Sequence, residues 1–304
     1  MKPAIFTYRR PATLHEALKL LEETGDEGKV IAGGQSLVPM MNMRLARPEY
    51  LVDINDLDDL RYIRPFEGGI DIGALTRHGD LERSAILRRL CPIVPTAAHF
   101  IGHYAIRQRG TIGGSMAHAD PAAELPLLAV LLDATLTIAS LDNTRSQTAR
   151  EFFLSMYTTD LQPNEILTAV RFPVIPPGSG WSFKEFSRRA GDFALVSAAC
   201  TMQLNSSGSV EQLHLALGGA DLIPIRVDAS IASFIGERPD ARWRQAVAKA
   251  ALNDLEPMSD VHASTQDRLD WLALTVDQVL TQSSLRINGE IGEQASHTPE
   301  EEKL

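Results

Sequence analysis

The chain has 304 residues, 44% of them apolar, and 39 acidic against 29 basic side chains give a formal net charge of −10. That length supports two or three units with their own cores, and the apolar content excludes an intrinsically disordered chain. The acidic balance excludes general nucleic-acid binding, which needs a basic footprint.

The first helix begins at Thr13-Leu14-His15-Glu16, a capping box with threonine as N-cap and glutamate reaching back. Leu14, Ala17, Leu18 and Leu21 follow at helical spacing, and Gly25 stops the run. Residues 29–32 read as a short buried strand leading into Ala32-Gly33-Gly34-Gln35-Ser36. Residues 37–45 read as a helix with Ser36 as N-cap and Pro39 in the first turn, its positive end aimed back at the glycine loop. Residues 50–54 and 69–73 read as strands, and 80–90 and 95–101 as helices. Thr111-Ile112-Gly113-Gly114-Ser115 comes next, followed by an apolar segment at 126–132 and strands at 135–139 and 165–172.

Pro173-Val174-Ile175-Pro176-Pro177-Gly178-Ser179-Gly180 is the clearest linker. Beyond it, residues 181–186, 196–204 and 212–217 read as successive strands, with Asn205-Ser206-Ser207-Gly208 as a hairpin turn. Helices are expected at 242–252 and 265–280, and the polar, acidic stretch from about Asn288 reads as disordered.

The two glycine pairs carry the most chemistry. Adjacent glycines permit positive φ and remove the Cβ atoms that keep a ligand away. Successive N–H groups can then line one concavity suited to a phosphate or pyrophosphate. Two such motifs about eighty residues apart, each ending in a hydroxyl side chain, predict one nucleotide held from two sides. The familiar alternatives are missing. Gly68-Gly69-Ile70-Asp71-Ile72-Gly73 has isoleucine where a Rossmann fingerprint needs its second glycine, and no triphosphate-binding G-x-x-x-x-G-K-[ST] occurs.

Cys91 and Cys200 cannot supply the four thiolates of an iron–sulfur cluster or zinc ribbon, and they read as small buried apolar residues. His99 and His103 lack the glutamate of H-E-x-x-H and read as packing or surface residues, and no metal is expected on this chain. His118 and Asp120 read as loop-stabilising, Met40, Met41 and Met43 as core or a partner contact, and Arg188-Arg189 as surface ion pairs. No run approaches the roughly 20 apolar residues of a membrane span, and the first ten residues hold no apolar signal core, so a cytoplasmic location is expected.

The motifs Ala32-Gly33-Gly34-Gln35-Ser36-Leu37 with Pro39-Met40-Met41, and Gly110-Thr111-Ile112-Gly113-Gly114-Ser115 with Ala117-His118-Ala119-Asp120-Pro121, resemble those of the FAD-binding medium subunits of molybdenum hydroxylases. That family includes the carbon monoxide dehydrogenase flavoprotein subunit and the flavin domain of xanthine dehydrogenase. The resemblance continues through Phe183-Lys184-Glu185-Phe186-Ser187-Arg188-Arg189 and Gly191-Asp192-Phe193-Ala194-Leu195-Val196, covering about residues 2–280. It implies an α+β fold: two FAD-binding subdomains of the vanillyl-alcohol-oxidase (PCMH) type at 1–59 and 60–176. A C-terminal α+β domain with a small antiparallel sheet follows at 177–287, then the tail at 288–304.

By the same resemblance, Ala32, Gly33, Gly34, Gln35 and Ser36 wrap the FAD pyrophosphate, and Thr111, Gly113, Gly114 and Ser115 approach it from the other side. Ile101 lies against the cofactor, and Leu167 lies near its adenine end. Glu124 stands where relatives place an aspartate on the ribityl or ribose hydroxyls, Lys184 is placed near the flavin, and Phe193 replaces a frequent tyrosine. The implied assembly has a large molybdopterin-binding subunit and a small [2Fe–2S] subunit, as a heterotrimer or a dimer of heterotrimers. Electrons pass through the clusters to the flavin and on to NAD⁺, a quinone or oxygen. No catalytic nucleophile or general base is expected here. The competing readings are a self-contained flavin oxidase of the vanillyl-alcohol-oxidase type, a nicotinamide-dependent reductase, and a non-catalytic assembly protein.

Overall fold

The computed structural model describes residues 2–253 and 255–291, so most of the expected tail, 292–304, lies outside the described residues. The chain starts with a small parallel sheet. Strands β1 (Thr7–Arg9), β2 (Gly28–Ile31) and β3 (Tyr50–Asp53) lie in the order β1-β3-β2, with helix α1 (Leu14–Thr24) after β1 and α2 (Leu37–Asn42) after β2. Ala17, Leu18 and Leu21 of α1 form a core with Val52, Ile54 and Leu57. Thr13 caps Glu16 N as expected, while the Glu16 carboxylate reaches one residue further, to Ala12 N at 2.8 Å.

The second unit is a five-stranded sheet and a bundle of short helices. Strands β4 (Ile63–Phe66) and β5 (Gly69–Gly73) precede six helices: α3 (His78–Arg83), α4 (Ala85–Leu90), α5 (Ile93–Phe100), α6 (Tyr104–Arg107), α7 (Ile112–His118) and α8 (Glu124–Leu131). Then come β6 (Thr135–Ala139), β7 (Thr144–Thr148), α9 (Ala149–Phe152), the small hairpin β8 (Phe153–Ser155) with β9 (Thr158–Thr159), and β10 (Ile166–Pro173). The strand order is β4-β5-β10-β6-β7, so β10 fills the middle. It is buried on both faces over most of its length, which explains its run of apolar residues.

Two expectations change here, and one strand is added. The helix at 80–90 is two helices, because Ser84 is extended and caps α4 through Leu87 N. The second glycine pair is not a loop: Gly113 and Gly114 form the first turn of α7, and neither has positive φ. Strand β7 carries no sequence signal, because Thr144-Arg145-Ser146-Gln147-Thr148 is a polar edge strand whose residues alternate only between exposed and half-exposed.

The third unit is an antiparallel sheet in the order β11-β12-β13-β14, formed by β11 (Gly180–Phe186), β12 (Val196–Leu204), β13 (Val210–Gly218) and β14 (Ile225–Arg226). Helices α10 (Asp228–Ile231), α11 (Ala241–Leu252) and α12 (Thr265–Ile287) follow. The pleat sends alternate residues to opposite faces. Val196, Ala198, Cys200, Leu215 and Leu217 share a core with Trp243 and Val247 of α11 and Leu272, Val276, Val279 and Leu280 of α12. Trp181, Phe183, Ala199 and Ala216 join the core of the second unit instead, where Phe183 meets Phe100 at 5.4 Å between ring centroids. An ion pair from Arg226 of β14 to Asp133, just after α8, crosses the same junction, and Asp228 at the start of α10 holds the other side of the guanidinium. Among the described residues, no helix is long and apolar enough to cross a membrane.

Candidate cofactor site

Strand β2 delivers the first glycine motif to the edge of the second unit. A Cβ on Gly33 would lie 2.8 Å from both the carbonyl carbon of Arg109 and Gly110 Cα, and closer still to Arg109 O. The first loop therefore rests on the backbone that leads into the second motif, and only glycine permits that approach. Gly34 turns the chain with φ +72°. Arg77 and Asn55, which the sequence did not single out, fasten the contact. Asn55 Nδ2 donates to Ala32 O at 2.6 Å, Arg77 Nη2 donates to Asn55 Oδ1 at 2.7 Å, and Arg77 Nη1 donates to Arg109 O at 2.5 Å. Arg77 also forms an isolated bridge with Thr111, so one residue ties both motifs together.

The two motifs contribute differently. Among the described residues, the N–H groups of Gly33, Gly34, Gln35 and Ser36 donate to no protein acceptor, and the Ser36 hydroxyl makes no capping bond to α2. Four consecutive unspent donors with an adjacent hydroxyl are the donor set a diphosphate needs. In the second motif the N–H groups are spent internally. Ile112 N donates to Thr76 O, Gly113 N to Ala74 O, Gly114 N to the Thr111 hydroxyl and Ser115 N to Thr111 O.

Gly113 is needed for packing, since its Cβ would lie 2.6 Å from Ala74 Cβ. A Cβ on Gly114 would meet only Thr111 Oγ1, at 2.9 Å, so this glycine leaves room beside the cap. Ser115 Oγ sits 3.0 Å from Nε2 of His78. Burial pushes that imidazole down to about 4, which keeps it neutral at physiological pH.

The remaining expected residues lie at different depths. Ile101, at the C-terminal end of α5, and Leu167, in β10, are both buried in the core of the second unit. Glu124 opens α8 and is buried, and that burial, with Asp120 nearby, pushes its carboxyl up to about 7. Asp120 accepts from Ala122 N at 2.9 Å and lies 3.5 Å from the Tyr157 hydroxyl, while His118 packs 5.0 Å from the Tyr157 ring. His118 ends α7, and Asp120 lies in the turn between α7 and α8.

Lys184 shares a strand face with Ser182 and Phe186. Ser182 donates to Gln282 at 2.9 Å and Phe186 stacks on Trp271 at 4.6 Å, so this face is turned toward α12. Its neighbour Glu185 faces the other way, toward α8. Phe193 is largely exposed. The cysteines are buried thiols, each pushed up to about 12 by burial.

The family described as "FAD binding domain in molybdopterin dehydrogenase" matches residues 4–175, and "CO dehydrogenase flavoprotein C-terminal domain" matches 181–281. The chain is 40% identical over 283 residues to the 6-hydroxypseudooxynicotine dehydrogenase complex subunit alpha of Paenarthrobacter nicotinovorans, covering 93% of this chain and 96% of that one. A chain of the carbon monoxide dehydrogenase from Hydrogenophaga pseudoflava superposes with a TM-score of 0.91 at 34% identity, covering 94% of this chain and 99% of its own length. A chain of quinoline 2-oxidoreductase from Pseudomonas putida 86 gives 0.90 at 35%, with the same coverage. The seat of Gly33 on Arg109, the unspent donors of the first loop and these matches agree: the chain belongs to the FAD-binding family of the molybdopterin dehydrogenases and carries the C-terminal domain of the CO dehydrogenase flavoproteins.

Proposed function

We propose that the chain is the FAD-carrying electron-transfer subunit of a cytoplasmic, multi-subunit molybdenum hydroxylase. On this reading it receives electrons from [2Fe–2S] clusters on a small partner subunit, while a large partner holds the molybdenum cofactor and the substrate. The observation that carries the reading is the run of four unspent N–H donors at Gly33–Ser36 beside the second motif.

The first loop and the Ser36 hydroxyl hold the diphosphate, and Gly114 admits the cofactor beside the cap of α7. Glu124 accepts from the hydroxyl-bearing chain, and Ile101 and Leu167 belong to the apolar wall behind it. The bound flavin supplies transfer of one or two electrons; the protein supplies position and exclusion of water.

A self-contained oxidase needs its own substrate chamber. Much of each face of the C-terminal sheet is instead packed, one against the second unit and one against α11 and α12, which favours the subunit reading.

Purification under gentle conditions tests it. One FAD per chain, together with co-purifying chains that carry molybdenum and iron, is the expected result. Flavin with substrate turnover by the isolated chain would support the oxidase instead. A chain that neither contains nor takes up flavin would be an assembly protein.

A further inference from the structure

Glu185, Ser197 and Gly218 are directly paired across β11, β12 and β13 and form one row on the sheet face that meets the second unit. The row lies over the start of α8. Gly219 N donates to Pro121 O at 3.0 Å, and a Cβ on Gly218 would lie 3.3 Å from Pro121 O and 3.6 Å from Leu127 Cδ2. Glu124 stands in sequence between those two contacts, in the first turn of α8. Two carboxyl groups from different units are thus brought into one seam. Glu185 Oε2 and Ser197 Oγ are both buried there without a hydrogen-bond partner.

The charges around the seam are acidic. Asp120 acts on Glu124, Glu124 acts on Glu185, and Lys184 of the same strand is on the opposite face. Tyr157 is neutral and leans on Asp120. Two buried carboxylates without a cation cannot both ionise. A proton retained by one turns two repelling acceptors into a donor and an acceptor.

We propose that Glu185 is a positioning residue of the FAD site: it remains a neutral acid and donates its O–H to the Glu124 carboxylate, holding Glu124 toward the cofactor's hydroxyl groups. The assignment rests on the reading that Glu124 lines the FAD site. Burial and the charge of Glu124 push the Glu185 carboxyl up, so the arrangement fails only as the pH rises into the alkaline range. There the proton passes to solvent, the two carboxylates repel, and Glu124 loses its position.

The test measures FAD dissociation from the full chain, with any co-purifying subunits, by flavin fluorescence across about pH 7 to pH 10.5. The dissociation constant of the wild type should rise within the alkaline part of that range, approaching about tenfold per pH unit once Glu185 ionises, as one linked proton requires. Glu185→Gln keeps an N–H donor of the same shape. It should bind within about threefold of wild type at about pH 8 and lack the rise, which separates it from titration of the flavin itself. Infrared difference spectra at about pH 8 should show the C=O stretch of a protonated carboxyl in the wild type and lose it in the variant. Identical pH profiles, or a carboxyl band that survives Glu185→Gln, would overturn the assignment while leaving the FAD site standing. A wild-type chain that takes up no FAD at any pH would overturn the site reading and this assignment with it.

Discussion

Replacing Gly33 with alanine tests the contact between the two motifs directly. The φ of Gly33 is not in the left-handed region, so alanine is compatible with the backbone and the cost is steric. Its Cβ would lie 2.8 Å from two backbone carbons of Arg109 and Gly110 and closer still to Arg109 O, where ordinary contact begins at 3.4 Å, so the motifs must separate by more than about 0.6 Å. Overpacking of this kind costs about 1–3 kcal/mol. The displacement also strains the bond from Arg77 to Arg109 O, a charge-assisted bond worth about 1.5–3 kcal/mol if lost. The reduced freedom of the unfolded chain returns about 0.4–1 kcal/mol. The net effect is about 3 kcal/mol, or a fall of about 6–12 °C in Tm for a unit of this size. Scanning calorimetry of the flavin-free and flavin-loaded protein measures the fall, and absorbance gives the flavin content. Gly33→Ala with unchanged Tm and a full complement of FAD would refute the claim that the motifs are seated on one another.

The other perturbations separate retention of the fold from retention of the cofactor. Gly114→Val should keep a folded chain but lose FAD, because its Cβ meets only the Thr111 hydroxyl and the added bulk fills the space beside the cap; stoichiometric flavin in the variant would remove Gly114 from the site. Arg77→Ala breaks both of its ties and should weaken FAD binding about tenfold by fluorescence titration, and an unchanged constant would show that the motifs hold their spacing alone. Burial raises the pKa of Asp228, but the hydrogen bonds of His214 and Arg226 outweigh it and bring the carboxyl down to about 2, below its unfolded value of about 4. Its stabilisation is therefore complete above about pH 4 and disappears as the pH falls through about 2, and it amounts to about 1 kcal/mol after allowing for solvent screening. The Tm gap between wild type and Asp228→Asn should narrow over that window, and a gap independent of pH would refute the ion-pair account.

The two glycine pairs stood out in the sequence through their small and hydroxyl-bearing flanks and their shared resemblance, although a glycine pair alone more often marks a turn and the second one opens α7. The strands at 69–73, 135–139 and 196–204 stood out through apolar content and their turn signals. Asn55 and Arg77 gave no such signal. Each is a single polar residue whose value arises only when residues 32, 55, 77 and 109 meet in space. The division of roles within the second motif was hidden for a similar reason. Gly113 serves packing against Ala74 and Gly114 leaves space, yet the dipeptide reads the same at both positions. Strand alternation is visible in Phe183-Lys184-Glu185-Phe186, but which face meets which helix is settled only by the docking of α8 and α12.

The central place of β10 has a consequence for how the protein is made. It is the last of its five strands to leave the ribosome, yet it pairs with β5 on one side and β6 on the other. Until Pro173 has emerged, a nascent chain exposes two open strand edges, an invitation to pair with a neighbouring polypeptide.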